Sequence, residues 1–405
     1  MSLIRNERRA APSVSHPRGG RTTYVVGLGA LLPLPLPKAL IGTLLVLAAF
    51  TASHAADAPS HHGDRFYAVT PLVSDGGVPA RFTDPNLKNG WGVAFNPNGF
   101  VWVANNGSAT STLYDGNGKP QTLIVAVPGA GGAAGKPTGI VFSGSTSFVV
   151  TKNGVSGPGR FIFAGEDGTI SGWAPNVDLT HAILMANNSA EHSSYKGLAL
   201  AANGQGNFLF AADFHNARID IYDAAFQRVQ WPAAFVDPKL PAGYAPFGIQ
   251  NLQGNIYVSY AKQDVDARDA VAGRGLGLVD VYDSNGKLLR RVSTGGRLNA
   301  PWGMATAPAD FGRFSNSLLV GNFGDGRISS FDARSGEFIG QLREPDGRRV
   351  AISGLWGMAF GNGLSNQSTG ALFFAAGPND EVNGLYGRID PAAGVPGRSR
   401  DDDDD

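Results

Sequence analysis

"PWGMATAPADFGRFSNSLLVGNFGDGRISSFDARSG" (Pro301–Gly336) holds a glycine-anchored apolar stretch, a loop, a second apolar stretch, a tight polar turn and a third stretch that ends at Asp332. Its opening returns as "GWGVAF" (Gly90–Phe95), "PTGIVF" (Pro137–Phe142), "YKGLAL" (Tyr195–Leu200), "PFGIQN" (Pro246–Asn251) and "LWGMAF" (Leu355–Phe360). The anchoring glycines are Gly92, Gly139, Gly197, Gly248, Gly303 and Gly357, at spacings of 47, 58, 51, 55 and 54 residues. Second stretches follow as "FVWVAN", "SFVVTK", "FLFAAD", "NIYVSY", "SLLVGN" and "ALFFAA". In four copies the third stretch ends at Asp before a turn: "LYDGNGK", "DIYDAAF", "DVYDSNGK" and "SSFDARSG". A period near fifty with about four short strands per unit predicts an all-β, six-bladed β-propeller. A lone four-stranded sheet leaves a face uncovered, so the copies must stack on one another. The last copy, Leu355 to Asp390, supplies only three strands, and "DRFYAVTPLV" (Asp64–Val73) is predicted to close the ring as its outer strand.

Composition agrees. Of 405 residues 56 are Gly and 25 Pro, while charged residues make up 16%, which suits short strands joined by turns. Formal charge is zero; residues 1–55 are basic, and the remainder carries an acid excess matching the terminal "DDDDD". A near-neutral body has no electrostatic footprint for nucleic acid. "ALIGTLLVLAAF" (Ala39–Phe50) follows Lys38 and precedes a small-x-small site at Ser53-His54-Ala55, the layout of a secretory signal behind an Arg-rich lead-in. Twelve apolar residues are too few to span hydrocarbon, so no stable membrane span is expected after cleavage. Residues 1–55 are therefore read as signal peptide and lead-in, 64–390 as the propeller and 391–405 as a disordered acidic tail. The expected location is exported, periplasmic or extracellular. The absence of cysteine excludes disulfides and a thiol nucleophile.

"YAKQDVDARDAVAGRGLGLVDVYD", "FGRFSNSLLVGNFGDGRI" and "GLWGMAFGNG…LFFAAGPNDEVNGLYGRI" resemble an uncharacterised family of exported bacterial six-bladed propeller proteins. "FLFAADFHNARIDIYD" is more distantly similar to the NHL repeat and to gluconolactonase-type propellers. The first resemblance implies the fold and brings no activity. The second implies, as an alternative function, a metal-dependent lactonase or esterase with a divalent cation such as Ca²⁺ over the channel.

Connectivity places the loops after each second and fourth strand on one face, around the channel mouth, where a ligand site is expected. The residues before the anchoring glycines are Trp91, Thr138, Lys196, Phe247, Trp302 and Trp356. Of these, Trp91, Lys196, Phe247, Trp302 and Trp356 are candidate ligand contacts; the aromatic ones would either stack on a ligand or wedge the blades together. The residues ending the second stretches are Asn105, Lys152, Asp213, Tyr260, Asn322 and Ala376. The gluconolactonase resemblance makes Asn105, Asp213, Asn322 and, nearby, Glu381 the candidate cation ligands; Lys152 and Ala376 interrupt that ring, and Asp and Asn at strand ends also cap turns. "KQDVDARDAVAGRG" (Lys262–Gly275) is expected to cover the mouth, its acids either solvated or holding Ca²⁺. His192 and His215 are the one histidine pair expected to approach, and the "GAGGAAGKPTG" run precedes a strand, not the helix a phosphate loop needs. The function predicted is binding of a small-molecule ligand or envelope protein at the mouth.

Overall fold

A computed structural model describes residues 65–394. Six sheets, five of four strands and one of five, are arranged radially, and each anchoring glycine lies on an innermost strand. These strands are Gly90–Phe95, Pro137–Phe142, Tyr195–Asn203, Tyr244–Leu252, Pro301–Thr306 and Leu355–Phe360, in blades 1 to 6.

The glycine column has a steric cause. A Cβ on Gly248 would overlap the carbonyl oxygen of Trp302 in the next blade, and one on Gly357 would overlap that of Trp91, closing the circle from blade 6 to blade 1. Backbones meet here at a distance that only glycine permits. Farther out the second and third strands are buried on both faces, as in Val101–Asn105 and Leu278–Tyr282, so they read as unbroken apolar runs.

The ring is closed as expected. Phe66–Ser74 pairs antiparallel with Leu385–Ala392, in register from Phe66 opposite Ala392, and becomes the fourth strand of blade 6. Tyr67, fully buried, ties this strand to blade 5: its hydroxyl donates to Phe311 O (3.0 Å) and accepts from Phe314 N (3.1 Å). A two-residue strand, Phe82–Thr83, adds a parallel fifth member. The last strand runs to Ala392, two residues past the expected boundary. The expected signal region, 1–55, and all of the acidic tail past residue 394 lie outside the described residues.

Blade 2 corrects one reading. Its second strand is Phe161–Gly165, while Val149–Lys152 pairs with Val155–Pro158 as an inserted two-stranded hairpin. "SFVVTK" has the apolar run of a second strand, but the blade takes the better one, "FIFAG", buried throughout. Lys152 therefore leaves the ring of strand ends and pairs with Asp178 at 2.7 Å. No helix among the described residues is long and apolar enough to cross a membrane.

Candidate functional site

The residues before the glycines converge on the axis. Trp91 stacks on Trp356 (centroids 3.5 Å), Trp356 on Phe323 (4.0 Å), and Trp302 meets both tryptophans edge-on (6.1 and 5.8 Å). Phe247 packs on Phe214 and Trp356. Trp91, Phe247, Trp302 and Trp356 are each at most 3% exposed. The alternative left open by the sequence resolves toward packing: the rings fill the axis and offer one another their faces. Each such pair adds about 0.5–1.5 kcal/mol beyond area burial. The Trp91 and Trp356 indole N–H groups are buried without a partner among the described residues, whereas Trp302 Nε1 donates to Lys196 O (2.8 Å). Thr138, in blade 2, bridges blades by donating to Ala164 O and Tyr195 O.

Lys196 is the exception in this ring. Its side chain is 3% exposed, its ammonium lies 5.5 Å from the Trp91 ring, and it donates to Glu166 Oε1 (2.5 Å) and Asp269 Oδ1 (3.2 Å). A buried cation requires such partners. Burial pushes the Lys196 pKa down, but the charges of Glu166 and Asp269 outweigh it and hold the ammonium above the ordinary lysine value. Burial would likewise raise Glu166; the charge and hydrogen bond of Lys196, with a bond from Asn106 Nδ2 (2.8 Å), hold it below the usual glutamate range.

Asp269 arrives from blade 4 on the strap Lys262–Gly275. The strap is folded on itself by a Gln263–Ala270 bridge and by Arg268 N donating to Asp264 Oδ1, and Ala270 packs on the aromatic cluster. Asp269 itself is 79% exposed. Glu381 arrives from blade 6 at the end of three consecutive left-handed residues, Asn379, Asp380 and Glu381 (φ 57°, 53° and 66°). Such backbone costs of order 1–3 kcal/mol per residue and persists where the surroundings impose it. Glu381 accepts from Asn89 Nδ2 (2.7 Å). Burial pushes its carboxyl above the usual range; the Asn89 bond opposes this and the neighbouring Glu166 charge adds to it. The mouth thus draws Asn89 and Asn106 from blade 1, Glu166 from blade 2, Lys196 from blade 3, Asp269 from blade 4 and Glu381 from blade 6, above Trp302 of blade 5.

Each of the candidate cation ligands is engaged in hydrogen bonds of its own. Asp213 Oδ1 accepts from Ser194 N and Asn216 N, and its Oδ2 from Asn216 Nδ2. Asn322 Oδ1 accepts from Asn299 N while its amide reaches Arg297 O and Asp325. These two cap turns. Asn105 donates to Thr110 and Thr112 and leaves Oδ1 without a partner among the described residues. Glu381 is committed to the mouth. Among the described residues no group of three His, Cys, Asp or Glu has the arrangement to hold a metal ion. His192 and His215 do approach, with ring centroids 6.0 Å apart.

Glu166, Asn89 and Asn106 went unread in the sequence. "FIFAGED" has the same form as "FLFAAD", and alignment on it would have put Glu166 one step past a strand end. Asn89 and Asn106 carry no comparable signal.

No family model matches the chain. It is 33% identical over 331 residues to uncharacterized protein R648 of Acanthamoeba polyphaga mimivirus, covering 80% of each chain. Uncharacterized protein L690 of the same virus is 32% identical over 331 residues, 80% of this chain and 85% of the other. Among solved structures, a glucose dehydrogenase shares 14% identity over 79% of this chain and 98% of its own, with a TM-score of 0.46. A streptogramin B lyase shares 12% over 81% and 98%, also at 0.46.

Proposed function

As a member of the family that includes the mimivirus proteins R648 and L690, the chain is one whose activity has to be read from its own site, and we propose that it is an exported propeller that binds a small polar ligand at the channel mouth. One observation carries this reading. A buried ammonium, Lys196, is held between a fixed carboxylate, Glu166, and an exposed one, Asp269, delivered by a strap. A structural ion pair needs one partner. Here five blades direct polar side chains to one spot over an apolar floor, the arrangement of a ligand site. The aromatic rings serve as that floor, and the polar rim provides recognition.

Metal-assisted lactone or ester hydrolysis finds no support in these side chains, because Asp213 and Asn322 use their oxygens as turn caps. The binding reading is tested by a thermal-shift screen of small polar compounds against the wild type and Asp269→Ala. At least one compound should raise the wild-type Tm and raise the variant's less; equal shifts, or none, contradict the reading. Export is tested separately by fusing residues 1–55 to a reporter active only outside the cytoplasm. A silent, stably expressed fusion removes that part.

A further inference from the structure

We propose that blade 3 carries a binding site for a divalent transition-metal ion such as Zn²⁺, held by the imidazoles of His192 and His215. The proposal does not depend on the binding reading above. The two rings sit on different loops of the blade. His192 follows the short 3-10 turn Ser189–Glu191 ahead of the first strand, and His215 lies in the turn after the second strand, Gly206–Asp213. Their ring centroids are 6.0 Å apart and their planes are inclined at 54°. Two imidazoles on one ion, with Zn–N bonds of about 2.0–2.1 Å, place their centroids roughly 5 to 6.4 Å apart as the bond angle opens from tetrahedral to linear. The observed spacing lies within that range, so both rings can reach one ion with little movement.

The surrounding hydrogen bonds hold the loops and leave the rings free. Asn216 Nδ2 donates to Glu191 O (3.2 Å), Ser193 Oγ (3.4 Å) and Asp213 Oδ2 (2.8 Å). Ser194 N donates to Asp213 Oδ1 (3.0 Å), and Phe214 N to Ser194 O (2.9 Å). From the other side Gln263 Nε2 donates to Phe214 O (2.6 Å). The two loops are thereby stitched into one unit, and ordering them costs little at the moment of binding. Neither imidazole has a hydrogen-bond or ion-pair partner among the described residues. Each neutral ring therefore keeps an in-plane lone pair, the donor a transition metal takes from histidine.

The carboxylates nearby are already engaged. Asp213 caps the turn, Glu191 accepts from Arg218 (2.8 Å) and from Arg228, and Asp220 accepts from Arg218 (2.8 Å). Free nitrogens beside committed oxygens favour an ion that prefers imidazole over Ca²⁺ or Mg²⁺. The same network sets three carboxylates, Glu191, Asp213 and Asp220, against two guanidiniums, Arg218 and Arg228. A cation thus meets a neighbourhood short of positive charge. His192 is exposed and His215 half-buried, which gives the ion a path in. Two protein ligands leave the remaining coordination positions to water.

The test is isothermal titration of the full chain with zinc, nickel and calcium chlorides, using the wild type, His192→Asn and His215→Gln. Asn suits the left-handed backbone at His192 (φ 57°), so the turn survives the loss of the imidazole. Zn²⁺ and Ni²⁺ should bind the wild type. Each substitution should weaken that binding at least about tenfold, because losing a direct ligand costs no less than losing a residue that supports one. Zn²⁺ bound equally by the wild type and both variants places the ion elsewhere in the chain, for example on His61 and His62, and overturns the proposal. Ca²⁺ bound in preference, or no binding of any of the three ions, overturns it as well. Melting curves check both variants. Should either fail to fold, wild-type protein treated with diethyl pyrocarbonate decides. Zn²⁺ should shield His192 and His215 from modification in peptide mass spectra while the exposed His181 stays reactive. Equal modification of the pair with and without Zn²⁺ contradicts the site.

Discussion

Lys196 shows how one position departs from a repeat to make a site. Its equivalents in four blades are aromatic and pack on the axis; the ammonium is tolerated only because Glu166 and Asp269 meet it. Lys196→Met should destabilise the protein by about 3–5 kcal/mol, since it leaves the largely buried Glu166 uncompensated, and Lys196→Met with Glu166→Gln should recover most of that in urea titrations. The pH dependence has a definite sign. Glu166, held below its ordinary 4.5, contributes stability that is present above that value and lost as pH falls through its lower folded value. Lys196, held above 10.5, contributes stability present below that value and lost as pH rises through its higher folded value. In Lys196→Met burial pushes Glu166 up against the Asn106 bond that remains, so Glu166 should add stability to the variant as pH falls. A variant whose acid limb follows the wild type would contradict the pairing. At the axis, Gly248→Ala places a methyl on the Trp302 carbonyl and should cost about 1–3 kcal/mol in the same titration.

Among the elements, the closing strand and the mouth strap do different work. The closing strand is fastened to a neighbouring blade as well as to its own sheet, through the Tyr67 hydroxyl. Tyr67→Phe removes that hydroxyl, leaves Phe311 O and Phe314 N without it, and should cost about 1–3 kcal/mol by thermal melting. The strap is held by its own turn and by Ala270 on the aromatic cluster, and it presents Asp269 from a largely exposed position. Sequence reading reaches these two elements unequally. The closing strand is legible because blade 6 runs out after three strands, a deficit visible by counting. The strap is legible as an insertion, yet its partner Lys196 lies 73 positions earlier in sequence. Blade 2 misleads because "SFVVTK" and "FIFAG" are both apolar runs of strand length, and periodicity cannot rank them. That ambiguity hides Glu166. The aromatic column is legible as a column; whether its rings meet a ligand or one another depends on side-chain directions that repeat spacing does not contain.

For the molecule as a whole, the fold follows from one recurring requirement. Each sheet needs cover on both faces, and a closed ring of six provides it with no exposed inner edge. A chain starting after Ser74 lacks the fourth strand of blade 6 and exposes the edge of Leu385–Ala392. It should aggregate on refolding where the full chain stays monodisperse, as light scattering would show. The same ring sets the mouth, because side chains from five blades reach a common charge cluster only when the circle is complete.

A crystallographic map of the channel mouth, from crystals grown with a compound that raises the wild-type Tm, bears on the binding reading without an intermediary. Density for that compound against Asp269, with Lys196 still bound to Glu166, is the expected result. A mouth holding only water at saturating compound, or the compound bound elsewhere on the propeller, would contradict it.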